Sequence, residues 1–446
     1  MNSEIQWFEK PLGEVTCNHD GKRKPVKESE RKKGPYPYYG ASGIVDYVDG
    51  YLFDGRYLLV AEDGENLRTR QTPIAFMADG KFWVNNHAHI VTGSEEVTTE
   101  YLHYFLQYAD IQSYLTGAVM PKLTQGNLNR IPVRYPEPDY QKQIIQIPSF
   151  LDRKIDLNRR INQTLEAMAQ AIFKSWFVDF DPVKAKIVAI EQGEDPLRAA
   201  MRAISGKTDA ELGQMPREHH NQLATTAALF PDVMEESAQG EVPKGWETAL
   251  LSKMTQLIGG GTPKRSESIY WGGTIPWFSV RDVPNDGDVW VVDTAEKITE
   301  IGLQKSSTKL LRKGTTIISA RGTVGKLAMV GQEMAMNQSC YGVVGAEGVG
   351  DFFNYFNLEF AVETLKRNTH GAVFDTITQA TFETVICVKP ENSVMKQFDE
   401  IVAPLLKCIR SNVFQNRELA ELRDTLLPKL LSGEVSVEAL MNEVSE

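Results

Sequence analysis

Nearly the same phrase occurs twice in this sequence, and the repetition constrains the fold more than any other feature. GAVMPKLTQ occupies residues 117–125 and GAVFDTITQ occupies residues 371–379, an offset of 254 residues. At the same offset, matches continue without a gap over about fifty residues. The chain is therefore an internal duplication, and each half is expected to build the same architecture.

The downstream part of each repeat has the spacing of a coiled-coil seam, because its matched positions step by three and four residues. This predicts long helices from about Gln143 to Phe177 and from about Gln397 to Leu431, with Gly433 ending the second. Pro148 and Pro404 predict a late start or a kink. The predicted seam positions are Ile147, Leu151, Ile155, Asn158, Asn162 and Leu165, with Ile401, Leu405, Ile409, Asn412, Asn416 and Leu419.

Asparagines on a seam fix register, because a buried amide must find a polar partner. We therefore expect the two helices to pack on each other, and an antiparallel pair would place the two heads at opposite ends. The alternative is that each helix only covers its own head.

Apolar alternation broken by Gly, Asp and Asn predicts strands and hairpins ahead of each long helix. We predict an α+β fold, in which two pseudo-repeated, mixed β-rich heads are joined by two long helices forming an antiparallel coiled coil. The predicted parts are a first head at 1–140, a helix at 141–180, an acidic connector at 181–242 with some helix around 196–204, a second head at 243–393, a helix at 394–433 and an acidic tail at 434–446.

Charge alone argues against nucleic acid as a partner, since the formal net charge is −11. Most of that charge lies in the connector and the tail, however, and residues 20–33 form a basic run, DGKRKPVKESERKK. The charge of one face decides phosphate binding. No apolar run of eighteen residues and no signal-peptide layout is present, and four scattered cysteines indicate reduced thiols in a cytoplasmic protein.

Catalytic motifs are missing from the sequence. GGGTP (259–263) and GTVGK (322–326) do not fit a phosphate loop and are interpreted as turn glycines. His87 and His89 have no further ligands at metal-site spacing. A duplicated chain without a catalytic constellation is interpreted as a reader, so no catalytic residue, metal or cofactor is assigned to it.

For a nucleic-acid partner, the candidate contacts would be cationic or amide side chains, because lysine and arginine bind phosphates, arginine binds guanine, and asparagine or glutamine binds adenine. Arg265, Arg281 and Arg321 are the candidates for reading bases. The full set is Lys22, Arg23, Lys24, Lys27, Arg31, Lys32, Lys33, Tyr38, Asn85, Asn86, His87, Lys122, Gln125, Lys264, Arg265, Arg281, Arg321, Thr323, Lys326, Asn337, Gln338 and Gln379.

Each of these assignments has an alternative. The basic run could be a solvated loop, and the neighbouring tyrosines could be buried core. Asn85–His87 and Asn337–Ser339 could cap strand ends, and the repeated phrase could be a structural turn joining head to helix.

Several stretches taken together resemble the specificity subunit of type I restriction–modification systems. They are GGGTPKRSESIYWGGTIPWFSVRDV (259–283), ISARGTVGKLAMV (318–330), NQSCYGVV (337–344), IFKSWFVDFDPV (172–183), GEVPKGWE (240–247) and LRDTLLPKLLSGEV (422–435). The first half departs from the second, with KGPYPYYGASGIVDYVDGYLFDG at 33–55 in place of the GGGTP signature. The two heads are therefore expected to read different sequences.

The resemblance implies two target-recognition domains that each read one part of a split double-stranded DNA target. It also implies docking of two methyltransferase subunits, with restriction–translocase subunits outside them, in a bacterial or archaeal cytoplasm. S-adenosylmethionine, ATP and magnesium would belong to those partners. Two other classes stay open: a scaffold whose heads grip proteins, and a standalone DNA-modifying enzyme.

Overall fold

The computed structural model describes residues 5–237, 240–368 and 376–440. The chain forms two compact units, Met1–Lys154 with Glu418–Glu446, and Ile155–Arg417. The unit boundary therefore passes through both long helices, so each unit contains one head and helical segments from both halves of the sequence. No helix among the described residues is long and apolar enough to cross a membrane.

The first unit is built on a six-stranded sheet in the order β2-β7-β5-β6-β3-β4, with β1 and β8 paired separately. Its elements are β1 (Trp7–Pro11), β2 (Thr16–Asn18), β3 (Lys33–Gly40), β4 (Gly43–Val48), β5 (Phe53–Ala61), α1 (Asn66–Thr69), β6 (Ala75–Val84), β7 (Ala88–Gly93), α2 (Thr99–Tyr108), α3 (Gln125–Leu128), β8 (Pro132–Pro136) and the start of α4 (Pro138–Phe177). Alternating apolar residues of β5 and β7 fill the core beneath α2.

The second unit repeats this plan after a helical segment. Its elements are α5 (Asp181–Gln192), α6 (Pro196–Ser205), α7 (Asp209–Gly213), α8 (Arg217–Ala228), β9 (Met234–Ser237), β10 (Gly240–Pro243), β11 (Glu247–Leu250), α9 (Leu251–Met254), β12 (Thr255–Gly259), β13 (Trp271–Phe278), β14 (Trp290–Val291), β15 (Lys297–Ile298), α10 (Glu300–Gln304), β16 (Thr316–Ser319), β17 (Leu327–Val330), β18 (Ala335–Met336), β19 (Cys340–Gly345), α11 (Asp351–Asn368), α12 (Gln379–Phe382), β20 (Ile386–Lys389) and α13 (Asn392–Ser432).

Strand pairing confirms the duplication. β11 pairs with β20 as β1 pairs with β8, and β12 pairs with β19 as β2 pairs with β7. The parallel pairs β3–β6 and β13–β18 also correspond. The second head divides its strands between a five-stranded sheet and a three-stranded sheet where the first has a single sheet of six.

The long helices confirm the predicted antiparallel pairing. In the second unit, Asn158 Nδ2 donates to Asn416 Oδ1 at 2.9 Å, and Asn412 Nδ2 donates to Asn162 Oδ1 at 2.8 Å. In the first unit, Asp152 accepts from Arg423 at 2.6 Å. Ascending numbers on α4 therefore meet descending numbers on α13 in the second unit.

Seam burial varies along the helices. Leu151, Ile155, Asn158, Asn162 and Ile409 are buried, whereas Ile147, Leu165, Ile401, Leu405, Asn412, Asn416 and Leu419 are half-buried. Aromatic residues outside the predicted seam contribute strongly, as Phe173 and Trp176 of α4 meet Phe398 of α13. The α13 helix also packs on its own head, where Trp290 Nε1 donates to the Leu406 carbonyl at 2.8 Å.

Two features of the helices differ from expectation. Of the late start or kink expected at the prolines, the late start does not occur, because α4 and α13 begin at Pro138 and Asn392 and continue through Pro148 and Pro404. The predicted connector is mostly folded helix, α5 to α8, of which only α6 matches the helix expected around 196–204. The predicted end at Gly433 is confirmed, with the residue in the left-handed region at φ +74°. The acidic tail lies outside the described residues beyond 440.

Candidate nucleic-acid interface

Three segments converge where β5 ends in the first head. The backbone N–H of Glu62 donates to the His87 carbonyl at 2.9 Å, and the N–H of Leu123 donates to the Glu62 carbonyl at 2.8 Å. These bonds hold the β6–β7 turn at 85–87 and the repeated phrase at 122–125 on either side of Glu62. The sequence predicted contacts in both segments without predicting that they meet.

Acidic residues organise the cations at this point. The Glu62 carboxylate accepts from Arg23 at 2.6 Å and pairs with Lys122 at 3.1 Å, and Asp63 pairs with His87 at 2.8 Å. Burial opposes ionisation of Glu62, but the hydrogen bonds from Arg23 and Lys122 lower its pKa overall. The start of the basic run is thus fixed beside the repeated phrase.

His89 anchors the same cluster from inside the sheet. Its side chain is 1% exposed, with Nδ1 2.6 Å from Asp20 Oδ2 and Nε2 2.7 Å from the Leu123 carbonyl. The Asp20 carboxylate and the Leu123 carbonyl therefore contact opposite sides of the imidazole and hold the ring in place. Burial raises the pKa of Asp20, but bonds from His89 and the Ile90 N–H outweigh it and lower the pKa.

Several predicted contacts of the first head have structural roles instead. Tyr38 is 1% exposed and bonds with the Val26 backbone, so its predicted DNA contact is wrong. Arg31 lies over the Tyr38 ring at 4.5 Å and pairs with Asp46, and Arg23 is held by Glu62 and the Ala88 carbonyl. These interactions hold both arginines against the head, and their predicted DNA contacts stay predictions.

Asn85 is also structural, because it is buried and its Oδ1 accepts from the His87 N–H at 2.8 Å. This is the strand-end cap left open as the alternative. The predicted contacts of the first head whose residues are exposed are Lys22, Lys24, Lys27, Lys32, Lys33, Asn86, His87, Lys122 and Gln125.

The second head repeats the same backbone frame. The Ala320 N–H donates to the Ser339 carbonyl at 2.8 Å, and the Ile377 N–H donates to the Ala320 carbonyl at 2.9 Å. Asn337 Oδ1 accepts from the Ser339 N–H at 2.9 Å, so Asn337 also caps a turn, as Asn85 does. The backbones of Arg321 and Thr376 form an isolated antiparallel β-bridge, as the backbones of Asp63 and Lys122 do in the first head.

Side chains on this shared frame differ between the heads. Ala320 replaces Glu62, Arg321 replaces Asp63, and Thr376 replaces Lys122, while Ser339 replaces His87. Gln338 and Gln379 are exposed at the positions of Asn86 and Gln125. One frame therefore presents two different sets of hydrogen-bonding groups. The second copy of the repeated phrase lies partly outside the described residues, at 371–375.

The other candidates of the second head lie on neighbouring loops. Arg265 pairs with Glu296 at 2.9 Å and stacks 3.8 Å from the Trp271 ring centroid, and Lys264 pairs with Glu267 at 3.2 Å. The pKa of Glu296 is lowered by the hydrogen bond from Arg265. Arg281, Thr323 and Lys326 are exposed. Gly322 and Gly325 have φ of +78° and +77°, which fits turn glycines.

The sequence analysis did not predict the acidic residues that pair with the candidate cations and histidines, which are Asp20, Glu62, Asp63 and Glu296. His89 had a readable signal, since an ionisable residue stands within the apolar strand AHIVTG (88–93). No group of three or more residues able to hold a metal ion occurs in the ranges that the structure describes. The geometry offers cations and amides at the edge of a sheet, which is suited to contacting phosphates and base edges.

A duplicated chain with one recognition frame and two sets of side chains defines a two-headed recognition protein. Comparisons with known proteins agree with this class. The model of the type I restriction modification DNA specificity domain matches residues 4–167 and 243–402. The chain therefore belongs to the type I restriction–modification specificity family and is the specificity component of such a system, which is not catalytic.

Individual relatives match over most of the chain. It is 32% identical over 396 residues to the type I restriction enzyme HindI specificity subunit of Haemophilus influenzae, covering 86% of this chain and 84% of that one. It is 23% identical over 454 residues to the MjaIX specificity subunit of Methanocaldococcus jannaschii, covering 97% and 93%. The crystal structure of an S subunit from M. genitalium shares the fold, with TM-score 0.52, 13% identity and coverage of 96% and 97%.

Proposed function

We propose that the chain binds a two-part, asymmetric DNA target, reading one part with each head. The observation that supports this is the shared backbone frame, which carries Glu62, Asp63 and Lys122 in one head but Ala320, Arg321 and Thr376 in the other. Equal frames place equivalent side chains at equivalent positions, and unequal side chains select unequal bases.

Within each head, the exposed cations divide into two roles. Lys22, Lys24, Lys27, Lys32 and Lys33 would bind phosphates and so set the register of the first head. Arg321 projects from the frame of the second head, where a guanidinium can bind guanine O6 and N7 together. Gln338 and Gln379 beside it supply amides that can read adenine.

Specificity subunits of this family act in complexes with methyltransferase and restriction subunits and bind DNA. We propose that this chain docks two methyltransferase subunits and, beyond them, restriction–translocase subunits. The methyltransferase would take an adenine out of the base stack, since base chemistry in a duplex requires it. S-adenosylmethionine, ATP and magnesium would be bound by those partners.

Methylome sequencing tests the proposal. The chain would be co-expressed with its methyltransferase subunits in a methylation-free host, and a gapped motif with unlike halves is expected. Arg321→Ala should relax one base position in one half, at a cost of about 1–3 kcal/mol in binding, and leave the other half unchanged. Arg217→Ala, an exposed arginine of α8, is the matched control and should leave both halves intact.

Two results would count against the proposal. An ungapped or palindromic motif would contradict the reading of one part by each head. If Arg321→Ala methylates the same sites as the parent chain, Arg321 reads no base.

A further inference from the structure

An exposed apolar tip projects from the loop at residues 117–121 in the first head. Val119 is 95% exposed, more than any other large hydrophobic side chain in the described ranges, and Met120 beside it is 62% exposed. Exposed single hydrophobic residues are common on proteins, but two adjacent ones at this exposure need a reason.

The loop is braced at its base. Thr116 and Lys122 exchange two backbone hydrogen bonds, of 2.8 and 2.7 Å, and Arg68 donates to the Gly117 carbonyl at 2.8 Å. Gly117 has φ +88°, and a Cβ there would lie 2.1 Å from the Met120 carbonyl oxygen. The closed base and the glycine hold the apolar pair away from the head, so the core cannot absorb it.

Position and charge identify the partner. Lys122, which closes the loop, belongs to the candidate interface through Glu62 and Asp63, and exposed Gln125 follows it. The apolar tip is flanked by Lys122 and Arg68. This arrangement fits duplex DNA, because the cations can face the phosphates on the outside while the apolar side chains reach the stacked bases through a groove. Apolar wedges of this kind enter between base steps and unstack them.

We propose that Val119 and Met120 form a wedge that enters a groove and unstacks a base step in the part of the target bound by the first head. The inference rests on the proposed function, because it assumes that this face meets DNA. The second copy of the phrase keeps a bulky apolar pair in sequence, Val373 and Phe374, which lies outside the described residues.

Fluorescence of 2-aminopurine tests the wedge in the complex of the full chain with its methyltransferase subunits. The probe would replace adenine at successive positions of the first half-target. Fluorescence should rise at one step with the parent complex and stay low with the double variant Val119→Ser, Met120→Ser. Specific affinity of the variant should fall about tenfold or more, since unstacking supports the bound shape of the DNA. The salt dependence should not change, because no charge is removed.

The matched control is Ile5→Ser with Phe8→Ser, two partly exposed hydrophobic residues outside the candidate interface and outside the stretch 33–55, which should retain both signals. Unchanged affinity of the tip variant, or no fluorescence rise at any step with the parent, would overturn the wedge. Loss of assembly with the methyltransferase would also overturn it, by showing that the tip docks on protein. A parent complex that binds no target specifically would refute the proposed function itself, which is a distinguishable result.

Discussion

Glu359 illustrates how a single buried residue links stability to pH. It lines a cavity of about 360 Å³ together with Glu166 and Tyr355, and it accepts from Gln170 at 3.1 Å. Burial, followed by repulsion from Glu166, raises the pKa of Glu359 to about 7. Between the ordinary glutamate pKa of 4.5 and about 7, the folded chain holds a proton on Glu359 that the unfolded chain releases. The free energy of unfolding of this unit therefore falls as pH rises through that window.

Glu359→Gln should flatten part of this dependence, because a neutral amide does not titrate and can still bond with Gln170. Thermal unfolding between pH 5 and 8 measures the effect, expected as a smaller loss of melting temperature with rising pH. Exposed Glu347→Gln is the control. Asp399, whose pKa burial raises to about 6, contributes the same sign in both proteins, so only the difference between them reports on Glu359. Equal slopes would contradict the assignment.

The sequence predicts which residue types lie at the candidate interface. It does not predict which of their side chains are exposed to solvent and which are held by other residues. The sequence identifies the basic run, yet it cannot show that Arg23 and Arg31 are taken by Glu62 and Asp46, which lie 39 and 15 residues away. Exposed lysines of the same run have no such partners within salt-bridge distance among the described residues. The predicted DNA contact of Tyr38 is wrong because the sheet buries the side chain, and the local sequence pattern does not show that burial.

At the scale of the helices, the asparagines of α4 and α13 are the most specific contacts. Asn158 corresponds in the repeat to Asn412, and Asn162 corresponds to Asn416. Asn158 bonds to Asn416 and Asn162 bonds to Asn412, so each asparagine of α4 bonds to the repeat equivalent of the other one. This is the arrangement that a two-fold axis between antiparallel helices requires. Asn162 is fully buried and also donates to Asp288 at 3.0 Å.

Asn162→Ala should destabilise the second unit by about 1–3 kcal/mol, because the substitution removes the oxygen that accepts from the Asn412 amide and the N–H that donates to the Asp288 carboxylate. Chemical denaturation followed by circular dichroism measures the loss. The exposed neighbour Gln163→Ala should change stability little by comparison. If both variants unfold at the same denaturant concentration, the buried amide contributes nothing to the pairing.

The segment α5 to α8 was mistaken for a connector because its composition is acidic and polar. Its helix ends were nonetheless readable. Asp195 caps α6 ahead of Pro196, and Gly193 and Gly206 end α5 and α6 in the left-handed region. The contact that holds the segment on the second unit was not predictable from local sequence. Phe230 is buried with its ring centroid 4.9 Å from that of Trp176, which lies 54 residues earlier in the chain. Local signals predict helices, but only tertiary contacts show that they belong to the second unit.

At the scale of the whole molecule, each unit contains helix from the other half of the duplicated sequence. The core of the first unit includes Leu427 and Leu430 of α13, which are essentially unexposed. The core of the second unit includes Phe173 and Trp176 of α4. The repeat predicted matching halves, and it predicted that the helices pair. It did not predict that the boundary between the compact units would lie inside both long helices, so that each unit includes helix from both halves. That boundary depends on which apolar helix faces pack against which head.

Cutting the chain between residues 238 and 239 tests this exchange. Fragments 1–238 and 239–446 should copurify in equal amounts when co-expressed, because each lacks helix that completes one core, and each alone would expose apolar core surface. Capture on an affinity tag carried by the first fragment measures the association. Phe173→Asp with Trp176→Asp in that fragment should weaken capture strongly, since both side chains are buried, whereas Met168→Asp, on an exposed part of the same helix, should not. Two fragments that each purify alone as stable monomers, and do not bind one another when mixed, would show that the helices exchanged between halves are dispensable to the units they enter.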